Sequence, residues 1–308
     1  MSAGSRRGNF YSGVGLDRAD HLRRDPTWLA ARLADPATLF VPVWRNKNLV
    51  DAESGARAVW LSGAEAAGLA ARAAEAVFLG RSATAVFFAI DVSHLDGPEA
   101  DPALAGRGAF RDLRAVGPVL VRGEGAILAY ARGLAYWHRR HRFCGVCGDP
   151  TRSGQGGHVR RCTNAACGAD HFPRTDPAVI MLVHDGERCV LARQRIWPDG
   201  MHSTLAGFVE PGESLEEAVA REIYEEVGLE VTDITYHSSQ PWPFPSSIML
   251  GFHVHGRQAP LRVNPHELAA ARWFSRAELQ ASPEDESFRL PRRDSIARRL
   301  IEDWLAGT

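Results

Sequence analysis

Apolar positions in this chain fall into short runs that switch between helical and strand-like spacing. "DPTWLAARLADPATLFVPVW", residues 25–44, reads as a short helix followed by a strand. "LSGAEAAGLAARAAEAVFLG", residues 61–80, reads as a helix with a capping box, because Ser62 is followed three residues later by Glu65. "TAVFFAID" (84–91) has strand composition, and "DGPEADPALAGRG" (96–108) is a Pro/Gly-rich loop. A helix is expected over "VRGEGAILAYARGLAYWHRRHRFC", residues 121–144. "FPRTDPAVIMLVH" (172–184) brings a turn and a strand, and "RCVLARQR" (188–195) its hairpin partner. A helix bounded by Ser214 and Gly228 follows, then "LEVTDITYHSS", "SIMLGFHVHG" and "ARWFSRAEL", and a last helix in "SIARRLIEDWL". Strands on both sides of one helix predict a mixed sheet covered by helices. No internal repeat stands out in the letters.

A length of 308 residues predicts two or three units. With 45% apolar and 24% charged residues the chain can bury a core, and a net charge of −1 advertises neither a basic field nor an acidic tail. The start "MSAGSRRGNF" lacks the apolar run of a signal peptide, and no stretch is long and apolar enough for a membrane helix. The cytoplasm is the expected compartment. The first ~110 residues carry no chemical motif and read as a scaffold or dimerisation unit, with a homodimer as the expected assembly.

Four of the five cysteines fall in the pattern Cys144-x₂-Cys147-x₁₄-Cys162-x₄-Cys167. An odd total without a secretion signal argues against a disulfide framework. Paired cysteines on two turns, separated by a stretch that suits a hairpin, predict one tetrahedral Zn²⁺. Four thiolates close the site, so this zinc is expected to be structural, and the flanking His141, His158 and His171 are left out of the ligand set. Cys189, in an apolar run, reads as a buried thiol.

"GFVEPGESLEEAVAREIYEEVGLE", residues 207–230, raises a different question. Ser214 and Glu217 form a capping box, and Gly228 is placed to end the helix. At ~100° per residue, Glu222, Glu225 and Glu226 share roughly a 100° arc beside an apolar arc of Val219, Ala220, Ile223 and Val227. A solvated face would explain scattered glutamates. Three at the edge of a buried face are costly unless a cation sits among them, and hard oxygen ligands suit Mg²⁺ or Mn²⁺.

The segment fits G-x₅-E-x₇-R-E-U-x-E-E-x-G-U (U a bulky aliphatic) at Gly207, Glu213, Arg221, Glu222, Ile223, Glu225, Glu226, Gly228 and Leu229. It resembles the Nudix hydrolases, which cleave nucleoside diphosphates linked to another moiety. The resemblance implies an α/β/α sandwich of the α+β class, with Glu222 and Glu226 as main metal ligands. Glu225 is implied as ligand or base, the carbonyl of Ala206 as a further ligand, and Arg221 as the partner that fixes the carboxylates.

Beyond the box comes "SQPWPFPSS", residues 239–247, where three prolines make a stiff, extended segment with aromatic faces. With the cysteine cluster it resembles the NADH pyrophosphatase branch of that family, a resemblance running from about Leu113 to the C-terminus. It implies substrate contacts at Gln240, Pro241, Trp242, Pro243, Phe244, Pro245, Ser246 and Ser247, a third metal-binding acid at Glu267, and rings on the bases at Phe208 and Phe172. Arg114 and Ala297 match further substrate-contact positions. The stretch "GQGGHVRRC" lacks an acid that some relatives carry before the third cysteine.

The expected activity is hydrolysis of NADH or NAD⁺ to AMP and the nicotinamide mononucleotide, with removal of NAD caps from RNA. Another nucleotide-linked diphosphate such as ADP-ribose, or a non-catalytic nucleotide- or nucleic-acid-binding module, are the alternatives. The SQPWPFP segment speaks against the first and the intact box against the second. The expected organisation is an α/β domain over residues 1–140, a zinc ribbon over 141–172 and a Nudix domain over 173–308.

Overall fold

Alternation along strand Asp176–His184 sets the layers of the C-terminal region. Val179, Met181 and Val183 point into one core, packed with Ala218, Val219, Ile223 and Val227 of helix Leu215–Val227. Ile180 and Leu182 point into the other, packed with Ile296, Leu300, Ile301 and Trp304 of helix Ile296–Ala306. Each fully buried aliphatic side chain contributes roughly 1.5–3 kcal/mol, so three of them pin the glutamate helix to the sheet.

This structure is a computed structural model and describes residues 8–51 and 56–307. They divide into two units, one of residues 8–10, 176–241 and 247–307, the other of residues between 11 and 175 together with 242–246. No described helix is long and apolar enough to cross a membrane.

The sheet of the first unit has the order Val231–Trp242, Ser247–Gly256, Asp176–His184, Arg188–Gln194, Leu268–Ser275, and Leu205–Phe208 also pairs with Asp176–His184. Asp176–His184 is parallel to Ser247–Gly256 and antiparallel to Arg188–Gln194 and Leu205–Phe208. It is the mixed sheet between helices that the pattern predicts.

The second unit contains a sheet with the same connectivity apart from one added two-residue strand, Arg57–Ala58, on Lys47–Asp51. Leu39–Trp44 is parallel to Val86–Asp91 and antiparallel to Lys47–Asp51 and Leu61–Ser62. A helix, Gly63–Ala70, follows the short strand, as Leu215–Val227 follows Leu205–Phe208. Ala76–Arg81 pairs with Val86–Asp91, and Ala109–Asp112 pairs with Lys47–Asp51 as Leu268–Ser275 pairs with Arg188–Gln194. The chain thus repeats a topology that its letters do not repeat. Helix Arg122–Arg140 packs on this sheet.

Two expectations change. "AVFLG" at the end of the 61–80 run is a strand, Ala76–Arg81, because Val77, Phe78 and Leu79 are buried in the sheet. The SQPWPFP segment is not extended throughout. Its strand ends at Trp242, the chain turns over residues 243–246, and the next strand starts at Ser247.

Candidate active site

The glutamate helix starts as its sequence predicts. The Ser214 N–H donates to Glu217 at 2.7 Å, and the Glu217 N–H donates to the Ser214 hydroxyl at 3.2 Å. Gly228 ends it at φ 70°, a left-handed conformation in which a side chain would also strike Arg262.

Arg221 organises the carboxylates. Its guanidinium grips Glu213 at 2.5 and 2.9 Å, reaches Glu222 at 2.9 Å and Glu225 at 3.2 Å, and donates to the Phe208 carbonyl at 2.9 Å. That fork draws the Glu213 carboxyl down to about 2. Glu225 stays exposed, whereas the Glu222 side chain is mostly covered. Gly207 makes room for it, since a Cβ there would lie 1.8 Å from the Glu222 carboxyl carbon.

Glu226 is 4% exposed. Burial, and then the charges of Glu222 and Glu267, push its carboxyl up to about 8, although the Ala206 N–H pulls the other way. Burial also raises Glu222. The structure therefore gathers Ala206, Glu222, Glu226 and the exposed Glu267 into one electrostatic neighbourhood. Oε2 of Glu226 is buried and has no hydrogen-bond partner. A buried carboxylate oxygen left without a donor, beside the charges of Glu222 and Glu267, fits a hard divalent cation.

In the ribbon the four cysteine sulfurs lie within 4.8 Å of one another, with Cys144–Cys167 at 3.8 Å and Cys147–Cys162 at 3.4 Å. A tetrahedron with Zn–S bonds of ~2.3 Å has edges of about 3.8 Å, so the donor set fits zinc. Strands Thr151–Gly154 and Val159–Cys162 form the hairpin between the cysteine pairs. Backbone N–H groups of Cys147 and Val146 draw the Cys144 thiol down to about 6, and His171 Nε2 lies 3.3 Å from its sulfur. Arg160 ties the ribbon inward through Glu75, His138 and Thr151.

The residues expected to bind substrate separate. Phe208 and Phe172 are exposed, at 61% and 65%. Gln240 has no free polar edge. It is 1% exposed, and its amide donates to the carbonyls of Asp294 and Phe10 and accepts from the Ile296 N–H. Those bonds anchor the start of the last helix. Ala297 is buried at the start of that helix, so its methyl group serves packing. Pro243 is buried, while Trp242, Phe244, Ser246 and Ser247 are half-buried and Pro241 and Pro245 exposed.

Arg114 meets the SQPWPFP tip, its guanidinium 5.5 Å from the Phe244 ring centre. Two neighbours went unforeseen. Tyr11 meets Trp242 and Phe244 edge-on at 6.2 and 5.8 Å, and Arg132 lies 4.7 Å from the Phe244 ring centre. Tyr11 is too distant in sequence to signal itself. Arg132 had a signal, a lone arginine between Leu128 and Ala135 on an apolar helix face.

Three family models match the chain. The NUDIX domain matches residues 174–296, the NADH pyrophosphatase zinc ribbon domain residues 139–172, and the NADH pyrophosphatase-like rudimentary NUDIX domain residues 37–137. The last agrees with the repeated topology and carries the resemblance well before Leu113. A protein of Mycobacterium bovis (strain BCG / Pasteur 1173P2) named NAD-capped RNA hydrolase NudC is 41% identical, covering 96% of this chain and 94% of that protein. One of the same name from Stutzerimonas stutzeri (strain A1501) is 43% identical over 69% of this chain and 72% of its own. NAD-capped RNA hydrolase NUDT12 of Macaca fascicularis is 40% identical over 59% of this chain and 42% of its own. The chain belongs to the NADH pyrophosphatase branch of the Nudix hydrolases, with its zinc ribbon.

Proposed function

We propose that this protein is a metal-dependent NAD(H) diphosphatase that also removes NAD caps from RNA. It hydrolyses the central pyrophosphate of NADH or NAD⁺, releasing AMP and the corresponding nicotinamide mononucleotide. The observation that carries the reading is the buried, partnerless Oε2 of Glu226 beside Glu222, in a chain 41% identical to a protein named NAD-capped RNA hydrolase.

Glu222, Glu226, Glu267 and the Ala206 carbonyl would hold Mg²⁺ or Mn²⁺. Such ions neutralise charge on the phosphoryl oxygens and polarise water. Arg221 holds Glu222 and Glu225 in place from one guanidinium, so neither needs to reorganise as charge develops. Glu225, more exposed than Glu222 and Glu226, would take a proton from water. The water oxygen bonds to phosphorus, the bridging P–O bond breaks, and the proton passes to the carboxylate. Phe208, exposed at the start of the box, supplies flat apolar surface for a base. The zinc is structural because four thiolates leave no open position.

The same reading takes the enzyme as a cytoplasmic homodimer of the domain order expected from sequence. Turnover of NADH, NAD⁺, ADP-ribose and NAD-capped RNA, side by side with Mg²⁺, with Mn²⁺ and with EDTA, tests it. Preference for ADP-ribose, or turnover unaffected by EDTA, rejects it; sedimentation decides the assembly.

A further inference from the structure

The segment that carries Glu267 is tied to the end of the glutamate helix. A helix leaves the carbonyls of its last turn without partners inside it. The Gly228 N–H takes up the Tyr224 carbonyl at 2.9 Å. The Glu226 and Val227 carbonyls accept instead from a distant segment, from the Asn264 N–H at 2.9 Å and the Arg262 N–H at 2.8 Å. Leu261 and Val263 pack on the same core as Ile223 and Val227, and the Arg262 guanidinium lies 5.4 Å from the Tyr224 ring centre. Residues 261–264 are thus fastened to the helix by apolar packing, backbone hydrogen bonds and a cation–π contact.

Asn264 then turns the chain. Its carbonyl accepts from the N–H groups of Glu267 at 3.3 Å and Leu268 at 3.0 Å. Its side-chain Oδ1 accepts from the His266 N–H at 3.1 Å. Asn followed by Pro265 is an order that tight turns prefer. The short amide can close on the backbone two residues on, and proline presets the next φ. Leu268, buried in the core, begins the next strand. Glu267 therefore stands in a turn whose hydrogen bonds all meet on Asn264.

The turn matters because of what Glu267 has to do. Glu222 and Glu226 are set by helix geometry and, at Glu222, by Arg221. Glu267 is exposed, and a long exposed side chain gives up rotamer freedom when it binds an ion. Any looseness in the backbone beneath it adds to that cost. Its charge nevertheless reaches Glu222 and Glu226. One hydrogen bond, from the Asn264 N–H to the Glu226 carbonyl, joins the backbone of the helix acid to the turn of the loop acid.

We propose that Asn264 is a positioning residue that fixes Glu267 relative to Glu226, so that a loop carboxylate completes the donor set begun on the helix. This rests on the reading that Glu222, Glu226 and Glu267 hold the divalent ion. Asn264 acts through the backbone of Glu267 and not on the reacting atoms.

The test is Mn²⁺ binding by the intact protein, read from the electron paramagnetic resonance signal of the free ion, with melting temperature and NADH turnover recorded for each variant. Asn264→Ala should weaken Mn²⁺ binding about tenfold, the lower end for a residue that orients a metal ligand. Turnover should fall at limiting Mn²⁺ and largely recover at saturating Mn²⁺, with KM for NADH little changed. Asn264→Asp keeps the acceptor for the His266 N–H and should bind Mn²⁺ within about threefold of wild type. Glu267→Gln should weaken binding at least as much as Asn264→Ala, and adding Asn264→Ala to it should weaken it no further. Asn264→Gln, whose longer side chain cannot close the same turn, replaces the alanine variant if that one fails to fold. Wild-type affinity in the folded variant, or a loss undiminished in the Glu267→Gln background, would overturn the inference. So would unchanged affinity in Glu267→Gln. Each of these outcomes leaves Glu222 and Glu226 as ligands. A wild-type protein that binds no Mn²⁺ would remove the metal reading and the inference together.

Discussion

Helix Gly63–Ala70 and helix Leu215–Val227 begin alike. Each follows a short strand that pairs with the first strand of its sheet, and each opens with a serine–glutamate capping box. They differ in what the carboxylates do next. In the first helix the sole acid, Glu65, serves Ser62 and is paired with Arg107 at 2.6 Å. Those donors, Ser62 foremost, draw it down to about 2. In the second, Glu226 is pushed up to about 8. One region satisfies its acid with its own donors, and the other leaves Oε2 of Glu226 buried without one.

Length makes the difference possible. The first helix has 8 residues and the second 13, so only the second has later turns on which Arg221, Glu222, Glu225 and Glu226 can sit. The strand that Glu267 precedes, Leu268–Ser275, has its counterpart in Ala109–Asp112, which Gly108 precedes. Packing has kept the topology in both regions, while the acids that need more helix are present in one.

The strongest way to break this comparison is to neutralise one acid in each region. Glu226→Gln should cut turnover of NADH by at least ~10²-fold, about 3 kcal/mol of transition-state stabilisation, in a protein that still folds. Glu65→Gln should leave turnover within about twofold and cost on the order of 1 kcal/mol of stability through its cap. Comparable kinetic losses from both, or a near wild-type Glu226→Gln, would mean the regions are not divided in this way.

Between the two regions the ribbon should affect stability and leave chemistry alone. Elemental analysis should find about one zinc per chain, and Cys144→Ser should lower both zinc content and melting temperature. Loss of turnover without loss of zinc or melting temperature would place the ribbon inside the chemistry instead.

Much of this was legible in the letters, for particular reasons. The cap at Ser214, the stop at Gly228 and the arc of Glu222, Glu225 and Glu226 are local, and local spacing carries them. The cysteine spacing is local too. The repeated sheet was not legible, because a topology can be held by any residues that bury well, and Phe78 and Phe88 in one core need not resemble Met181 and Phe252 in the other. Nor was the fate of Gln240, whose partners Phe10 and Asp294 lie 230 and 54 residues away. The turn at 243–246 was misread because proline fixes φ without deciding where the chain reverses.

The tip that this turn presents should govern affinity more than turnover. Trp242→Ala should raise KM for NADH about tenfold, the scale of ~1–3 kcal/mol for a lost stacking platform. A minimal diphosphate without nicotinamide should be less affected, because the box carboxylates are untouched. Equal losses on both substrates at unchanged melting temperature would make the tip a structural element only.

The smallest effect should be shared, and it asks whether the two regions behave alike where chemistry is not involved. Each unit holds a histidine whose pKa burial lowers strongly. His158 bonds the Phe78 carbonyl at 2.8 Å, and His253 bonds the Leu300 carbonyl at 3.0 Å. Burial lowers both to about 4. Between that value and ~6.5 the unfolded chain binds a proton at each site and the folded protein does not. Stability therefore falls as pH drops through this window and is fully present above it. From pH 7 to 5 the loss should be on the order of 1 kcal/mol for each histidine. His158→Gln and His253→Gln retain a donor for each carbonyl and remove the titration, so each should flatten the fall in melting temperature by a similar amount. A fall that neither substitution changes would show that both rings titrate normally. A change from His253→Gln alone would show that the glutamate-bearing unit sets the acid sensitivity of the whole chain.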